Sequence, residues 1–211
     1  MVGVGGLILS ASQAEAGIPA DDNMQKMEPG LRSETERTTR RVVLDTETTG
    51  LDPTEGHRVI EIGAIELIGL IPTGRAFHVY LNPDRDLDPV ALALHGLSQE
   101  FLSRQPRFGE IAKTFLDFIG GAELIIHMAP FDVGFLDTEL QRLEMPSLDQ
   151  FSPSIIDSLE LARSRYPGQR NGLYALCQRY GIETDNRPIH GALLDAKLLG
   201  EVVRNLMADK T

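Results

Sequence analysis

"RVVLDTETTG", residues 41–50, is a short apolar run that ends in two carboxylates and a Thr/Gly turn. Val42, Val43 and Leu44 read as a buried strand. Side chains alternate along a strand, so Asp45 and Glu47, two apart, point to the same face at its end. Two carboxylates side by side repel, and each raises the other's pKa unless a cation lies between them. On a solvated edge such a pair is ordinary in an acidic chain. Directly behind "VVL" it is costly, because unpaired charge at a buried strand needs compensation.

Outward from this strand, "HRVIEIGAIELIG" (57–69) and "GRAFHVYLNP" (74–83) read as two further strands, and the short link "LIPTG" favours an antiparallel hairpin. "PRFGEIAKTFLDFIGG" (106–121) has helical spacing through Phe108, Ile111, Phe115 and Phe118/Ile119, stopped by Gly120 and Gly121. "AELIIHMAP" (122–130) is a short apolar strand. "FDVGFLDTELQRLEM" (131–145) is a helix with Phe131, Phe135, Leu136, Leu140 and Leu143 on one side. "SIIDS" (154–158) reads as a last short strand. "SLELARSRY", "NGLYALCQRYG" and "ALLDAKLLGEVVRNLM" follow as helices, with Asn171 suited to an N-cap and Gly181 to a C-cap. The order βββ-α-β-α-β-ααα predicts an α/β domain of three layers, a mixed sheet with helices on both faces.

The bulk numbers agree with one such domain. The chain has 211 residues, 42% hydrophobic and 24% charged, enough for a single substantial core. No run of 18 apolar residues is present, so no membrane partner is expected. The single cysteine, Cys177, lies in an apolar pattern and fits a buried thiol in a reducing, cytoplasmic setting. Net charge is −11, which argues against gripping nucleic acid by a broad basic surface. Residues 1–40 read as a poorly ordered leader, 41–208 as the domain, and 209–211 as a C-terminal end. The leader's apolar patch and "AEA" faintly resemble an export signal, but the basic start of one is missing.

Two more carboxylates stand out. Asp132 opens a helix directly after a strand, where capping and the helix dipole would also favour it. Asp195 stands inside the apolar pattern of Leu194, Leu198, Val202 and Leu206, so it points toward the sheet. Five residues earlier, in "PIHGALLDAKLL" (188–199), stands His190. At roughly 100° per residue, a gap of five separates two side chains by about 140° on a helix. If His190 and Asp195 act together, His190 belongs to the loop before the helix.

In this order, "DTETTG", "HMAPFD" and "HGALLD" resemble the three motifs of the DEDDh exonuclease family. The match is to the proofreading (epsilon) subunits of bacterial DNA polymerase III within it. "EGHRVIEIGAIEL", "FHVYLNPDR", "HGLSQEFL", "GAELIIH", "TELQRL" and "YPGQRNGLYALCQRY" extend the resemblance from about 41 to about 207. The resemblance implies an RNase H-like fold with a mixed, mostly five-stranded sheet. It implies a 3′–5′ exonuclease that releases nucleoside 5′-monophosphates from DNA 3′ ends, single-stranded or mispaired. Carried over residue by residue, Asp45, Glu47, Asp132 and Asp195 hold two divalent ions, Mg²⁺ or Mn²⁺, and His190 is the general base. Glu47, His95 and Asp195 would contact substrate. The implied partners are the polymerase III catalytic (alpha) subunit and a small theta-like subunit.

The chain departs from the family in places. Met128 stands where Asn is usual, and Val90 where Glu is frequent. The family's linker, clamp-binding peptide and polymerase-binding tail are not visible after the last helix, as in a truncated chain or a shorter relative. Two alternatives stay open: an RNase T-like or stand-alone exonuclease acting on RNA or single-stranded DNA, and a mainly structural subunit of a polymerase complex.

Overall fold

The computed structural model describes residues 34–184 and 191–208. In chain order the elements are α1 (Glu34–Thr38), β1 (Arg40–Thr48), β2 (Val59–Ile68), β3 (Ile71–Tyr80), α2 (Pro89–His95), α3 (Gln99–Leu102), α4 (Phe108–Ile119), β4 (Glu123–Ile126), α5 (Ala129–Arg142), β5 (Ile155–Asp157), α6 (Ser158–Arg165), α7 (Leu173–Tyr180) and α8 (Ala192–Ala208). The five strands form one sheet in the order β3-β2-β1-β4-β5. β1, β2 and β3 pair antiparallel, whereas β4 joins β1, and β5 joins β4, in parallel. This is the mixed α/β sheet expected from the element order.

Alternation along β1 sorts its residues between two cores. Val42 and Leu44 pack with Phe108, Ala112 and Phe115 of α4 and with Phe135 and Leu136 of α5. Val43 packs the other way, with Ile65, Leu67, Ile125 and with Leu199 and Val203 of α8. A third cluster ties α6, α7 and α8 together through Ala162, Leu176, Cys177, Leu198, Val202 and Leu206. Val42, Val43 and Leu44 are fully buried, so β1 is covered on both faces, as parallel neighbours require.

Some local expectations shift. The hairpin turns at Gly69 and Leu70, with Gly69 at φ 62°, so β3 starts at Ile71 and "IPTG" lies within the strand. Asn171 does not cap α7; Gly172 does, at φ −64° and ψ 157°. The Asn171 amide donates instead to the carbonyls of Tyr166 and Gln169, at 3.0 and 3.1 Å. The short helices α1, α2 and α3 carry too few periodic apolar residues to announce themselves. Among the described residues no helix is long and apolar enough to cross a membrane.

Candidate active site

The C-terminal end of β1 carries the acidic pair. Asp45 and Glu47 continue the face of Val43, the face that α8 covers. The start of α8 sits against β2 at Gly63, where a Cβ would stand 2.1 Å from the Leu193 amide nitrogen. Only glycine admits that approach. It places Asp195, in the first turn of α8 and 5% exposed, over the β1 end. Carboxylate oxygens of Asp45, Glu47 and Asp195 all lie within 4.8 Å of one another. The Tyr174 hydroxyl, from α7, donates to Asp195 Oδ1 at 2.8 Å.

Asp132 arrives from the opposite face. β4 ends at Ile126, and the chain turns through Met128 in the left-handed region (φ 70°, ψ 52°) before entering α5. Pro130 follows at the start of the helix, where its missing N–H costs nothing. Asp132, 3% exposed, accepts from the Thr46 amide at 3.0 Å and the Thr46 hydroxyl at 2.7 Å. Thr46 points away from Asp45 and Glu47, so Asp132 reaches the end of β1 from the other face, close enough for its charge to act on Asp45. A residue of β1 nevertheless holds it in place.

Electrostatics mark the site as incomplete without positive charge. Burial, then the carboxylates of Asp132, Glu47, Asp195 and Glu61, push Asp45 well above the usual range. Burial and then Glu61 raise Glu47 to about 8. Burial raises Asp132 to about 7 despite the two Thr46 hydrogen bonds. Among the described residues no salt bridge involves Asp45, Glu47 or Asp132. Oxygen-only donors gathered this tightly, with their ionised forms disfavoured, fit a hard divalent cation.

Of the six residues expected at the site, the structure brings together Asp45, Glu47 and Asp195, with Asp132 fixed on the flank. His190 lies outside the described residues, as do 1–33 and 209–211, and the Val90 side chain is not described either. His95 ends α2 and is 3% exposed. Its Nδ1 accepts from the Leu97 amide at 3.0 Å, and its buried Nε2 has no hydrogen-bond partner. Burial lowers its pKa.

Three contributors escaped the sequence reading. Glu61 pairs across the sheet with Glu47, is 2% exposed, and is met by His78 Nε2 at 2.7 Å. Its signal was a carboxylate in the middle of the apolar run "VIEIGAI". Thr46 and Tyr174 gave no comparable signal, because their hydroxyls matter only through partners far away in sequence.

The model of the exonuclease family matches residues 42–203. The DNA polymerase III epsilon subunit of Escherichia coli (strain K12) is 49% identical over 179 residues, 82% of this chain and 73% of the relative. That of Pasteurella multocida (strain Pm70) is 48% identical over 177 residues, 82% of this chain and 70% of the relative. Among solved structures, the nuclease domain of 3′hExo, a DEDDh family member bound to rAMP, aligns with a TM-score of 0.70 at 20% identity, covering 82% of this chain and 94% of that one. Exonuclease X in complex with 5′ overhanging duplex DNA aligns with a TM-score of 0.63 at 22% identity, covering 81% and 92%. The chain belongs to the exonuclease family, among the DNA polymerase III epsilon subunits, and is a 3′–5′ exonuclease. The family works with divalent metal ions, in keeping with the acidic cluster.

Proposed function

We propose that this exonuclease removes nucleoside 5′-monophosphates from the 3′ ends of DNA as the proofreading subunit of a bacterial replicative polymerase. The observation that carries the reading is the trio Asp45, Glu47 and Asp195, with Asp45 and Glu47 half-buried, Asp195 buried and all three within 4.8 Å of one another, in a chain about half identical to epsilon subunits. Asp45, Glu47 and Asp195, with Asp132 beside them, would hold two ions, Mg²⁺ or Mn²⁺. Bound ions of this kind activate water and neutralise charge on a transferring phosphoryl group.

The chain's own groups prepare that chemistry. Tyr174 fixes the Asp195 carboxylate, and Thr46 fixes Asp132. Glu47, His95 and Asp195 contact the terminal nucleotide in this reading. His190, just before α8, takes the proton of the attacking water. An imidazole with an ordinary pKa of about 6.5 suits that role at neutral pH. The acidic balance is compatible with such a substrate, because a few terminal nucleotides held in a pocket need no broad basic groove. The alpha subunit would then supply processive grip, with a theta-like subunit alongside, in the cytoplasm where the DNA is copied.

The test is digestion of 5′-labelled oligonucleotides with added Mg²⁺ or Mn²⁺. A ladder that shortens from the 3′ end, faster from a mispaired than a paired terminus, with nucleoside 5′-monophosphate as product, is the expected result. Preference for RNA of the same sequence would instead favour a trimming enzyme. No cleavage of either polymer would defeat the proposal.

A further inference from the structure

On the α8 face of the sheet a row of ionisable side chains crosses three strands. Glu47 of β1 stands opposite Glu61 of β2. His78 of β3 stands opposite Gly63, two residues from Glu61, and so shares that face. Its Nε2 meets Glu61 Oε1 at 2.7 Å. From the acidic trio outward to the sheet edge, the order is Glu47, Glu61, His78.

Glu61 is a demanding residue to keep there. It is 2% exposed, and its strand neighbours Ile60 and Ile62 are fully buried. A carboxylate removed from water needs compensation. His78 supplies part of it. The start of α8 supplies more: a Cβ on Gly191 would stand 3.9 Å from Glu61 Oε2, and a helix N-terminus carries partial positive charge. Farther along β2, buried Glu66 is met by the guanidinium groups of Arg40 and Arg75. Among the described residues the ion-pair partner of Glu61 is an imidazole instead. These contacts fix the carboxylate in place without setting a permanent cation against it.

Among the described residues, the carboxylates that converge within 4.8 Å are Asp45, Glu47 and Asp195, and Glu61 is not one of them. Its charge reaches them all the same. After burial, Glu61 is the largest cause of the rise at Glu47, and it contributes at Asp45.

We propose that Glu61, clamped by His78, is a positioning residue of the cation site: it ligates no ion, but its fixed negative charge behind Glu47 tightens the trio's hold on a multivalent cation. The inference rests on the ion-holding role given to the trio above. Coulomb attraction grows with the product of the charges and falls only as the inverse of distance. A carboxylate one strand behind the ligands can therefore act on an ion that it does not touch, and acts more strongly on an ion of higher charge. The same charge also favours a proton on Glu47. A proton carries one unit of charge and the ion two, so the balance tips toward the ion.

The test is calorimetric titration of the metal-free chain at pH 7.5 with Mg²⁺ and, separately, with the hard trivalent ion Tb³⁺. It compares the parent with Glu61→Gln, which keeps the shape and loses the charge, and Glu61→Asp, which keeps the charge on a shorter stem. Glu61→Gln should weaken Mg²⁺ binding by roughly threefold or more, the scale of one charge acting at an effective dielectric of about 20 or above. It should weaken Tb³⁺ binding by a larger factor. Glu61→Asp should stay within roughly twofold of the parent for both ions. Metal-free Glu61→Gln should melt at or above the parent's temperature, because like-charge repulsion falls. Unchanged Mg²⁺ affinity in Glu61→Gln, equal losses for the two ions, or equal losses in the Gln and Asp variants would each overturn the role of Glu61 while leaving the trio's role intact. A parent that binds neither ion defeats the trio's role itself, and this inference with it.

Discussion

β1 carries buried or half-buried charge at both ends, and the two ends are solved differently. At its start, Arg40 meets Glu66 at 2.7 Å and Arg41 meets Glu123 at 2.9 Å, with Arg75 adding a second contact to Glu66 at 2.6 Å. Burial alone would raise Glu66, but the Arg40 guanidinium and the Thr73 hydroxyl outweigh it and hold the carboxyl below its ordinary range. Four residues after Arg41, at the other end, carboxylate oxygens of Asp45, Glu47 and Asp195 lie within 4.8 Å of one another, and among the described residues no salt bridge involves Asp45 or Glu47. There burial and neighbouring carboxylates push Asp45 and Glu47 up. The same strand shows that this sequence pairs buried carboxylates readily where structure is the only demand. The carboxylates gathered at the end of β1 thus have the donor chemistry that a divalent cation takes.

The sharpest way to break this comparison is to remove one carboxylate from each region. Asp45→Ala or Asp195→Ala should lower exonuclease activity by well over roughly 100-fold, beyond what outer-shell changes at metal sites cost. Thermal unfolding of the metal-free variants should occur at or above the parent's temperature, because like-charge repulsion falls. Glu139 is the counterpart. It is 3% exposed and held by Arg58 through two contacts of 2.6 and 2.7 Å. Glu139→Ala should destabilise by about 3 kcal/mol, the cost of orphaning one partner of a buried pair. Near-normal cleavage in Asp45→Ala, or an unharmed melting temperature in Glu139→Ala, would erase the distinction.

His190→Ala should keep Mn²⁺ binding and lose roughly 10²–10⁴-fold in kcat, the usual worth of a general base. The acidic limb of its pH–rate profile should flatten. A variant that kept the parent's acidic limb would show that another group titrates.

A smaller effect follows from the raised pKa values. Glu47 moves from 4.5 to about 8 on folding. Between those values the folded metal-free chain holds a proton that the unfolded chain has released. Stability therefore falls as pH rises across that window. Melting temperatures without metal should decline from pH 5 to pH 8 more steeply in the parent than in Glu47→Gln. Added Mg²⁺ should raise the parent's melting temperature more at pH 8 than at pH 5.5. Identical pH slopes in parent and variant would contradict the assignment.

The smallest effect concerns Met128. A non-glycine residue at φ 70° is strained, and Asn tolerates this region better than most. Met128→Asn should stabilise by up to roughly 1 kcal/mol, seen as a modest rise in melting temperature. A fall would mean that the Met128 side chain contributes more than its backbone costs.

Much of this was legible in the sequence, because the decisive patterns are local. The period-two spacing of Asp45 and Glu47 after "VVL" put both on one face. The apolar stripe around Asp195 turned it inward, and the strand-to-helix step at "HMAPFD" placed Asp132. What could not be read was the sidedness of Asp132, which depends on how α5 crosses the sheet. Nor could the reading show that Thr46 and Tyr174 hold the carboxylates, or that Glu61 stands across from Glu47. Each depends on strand register or helix packing, which connect residues far apart in the chain. Gly63 was equally silent, since its role appears only when α8 lies on it.

Calorimetric titration of the metal-free chain with Mn²⁺ at pH 7, in buffers of different ionisation enthalpy, tests the central claim most directly. With Glu47 raised to about 8 and Asp132 to about 7, the cluster is partly protonated at that pH, and an incoming cation must displace those protons. The account predicts saturable binding with net proton release, abolished or strongly weakened in Asp45→Asn. Binding that releases no protons, or that Asp45→Asn leaves intact, would contradict it.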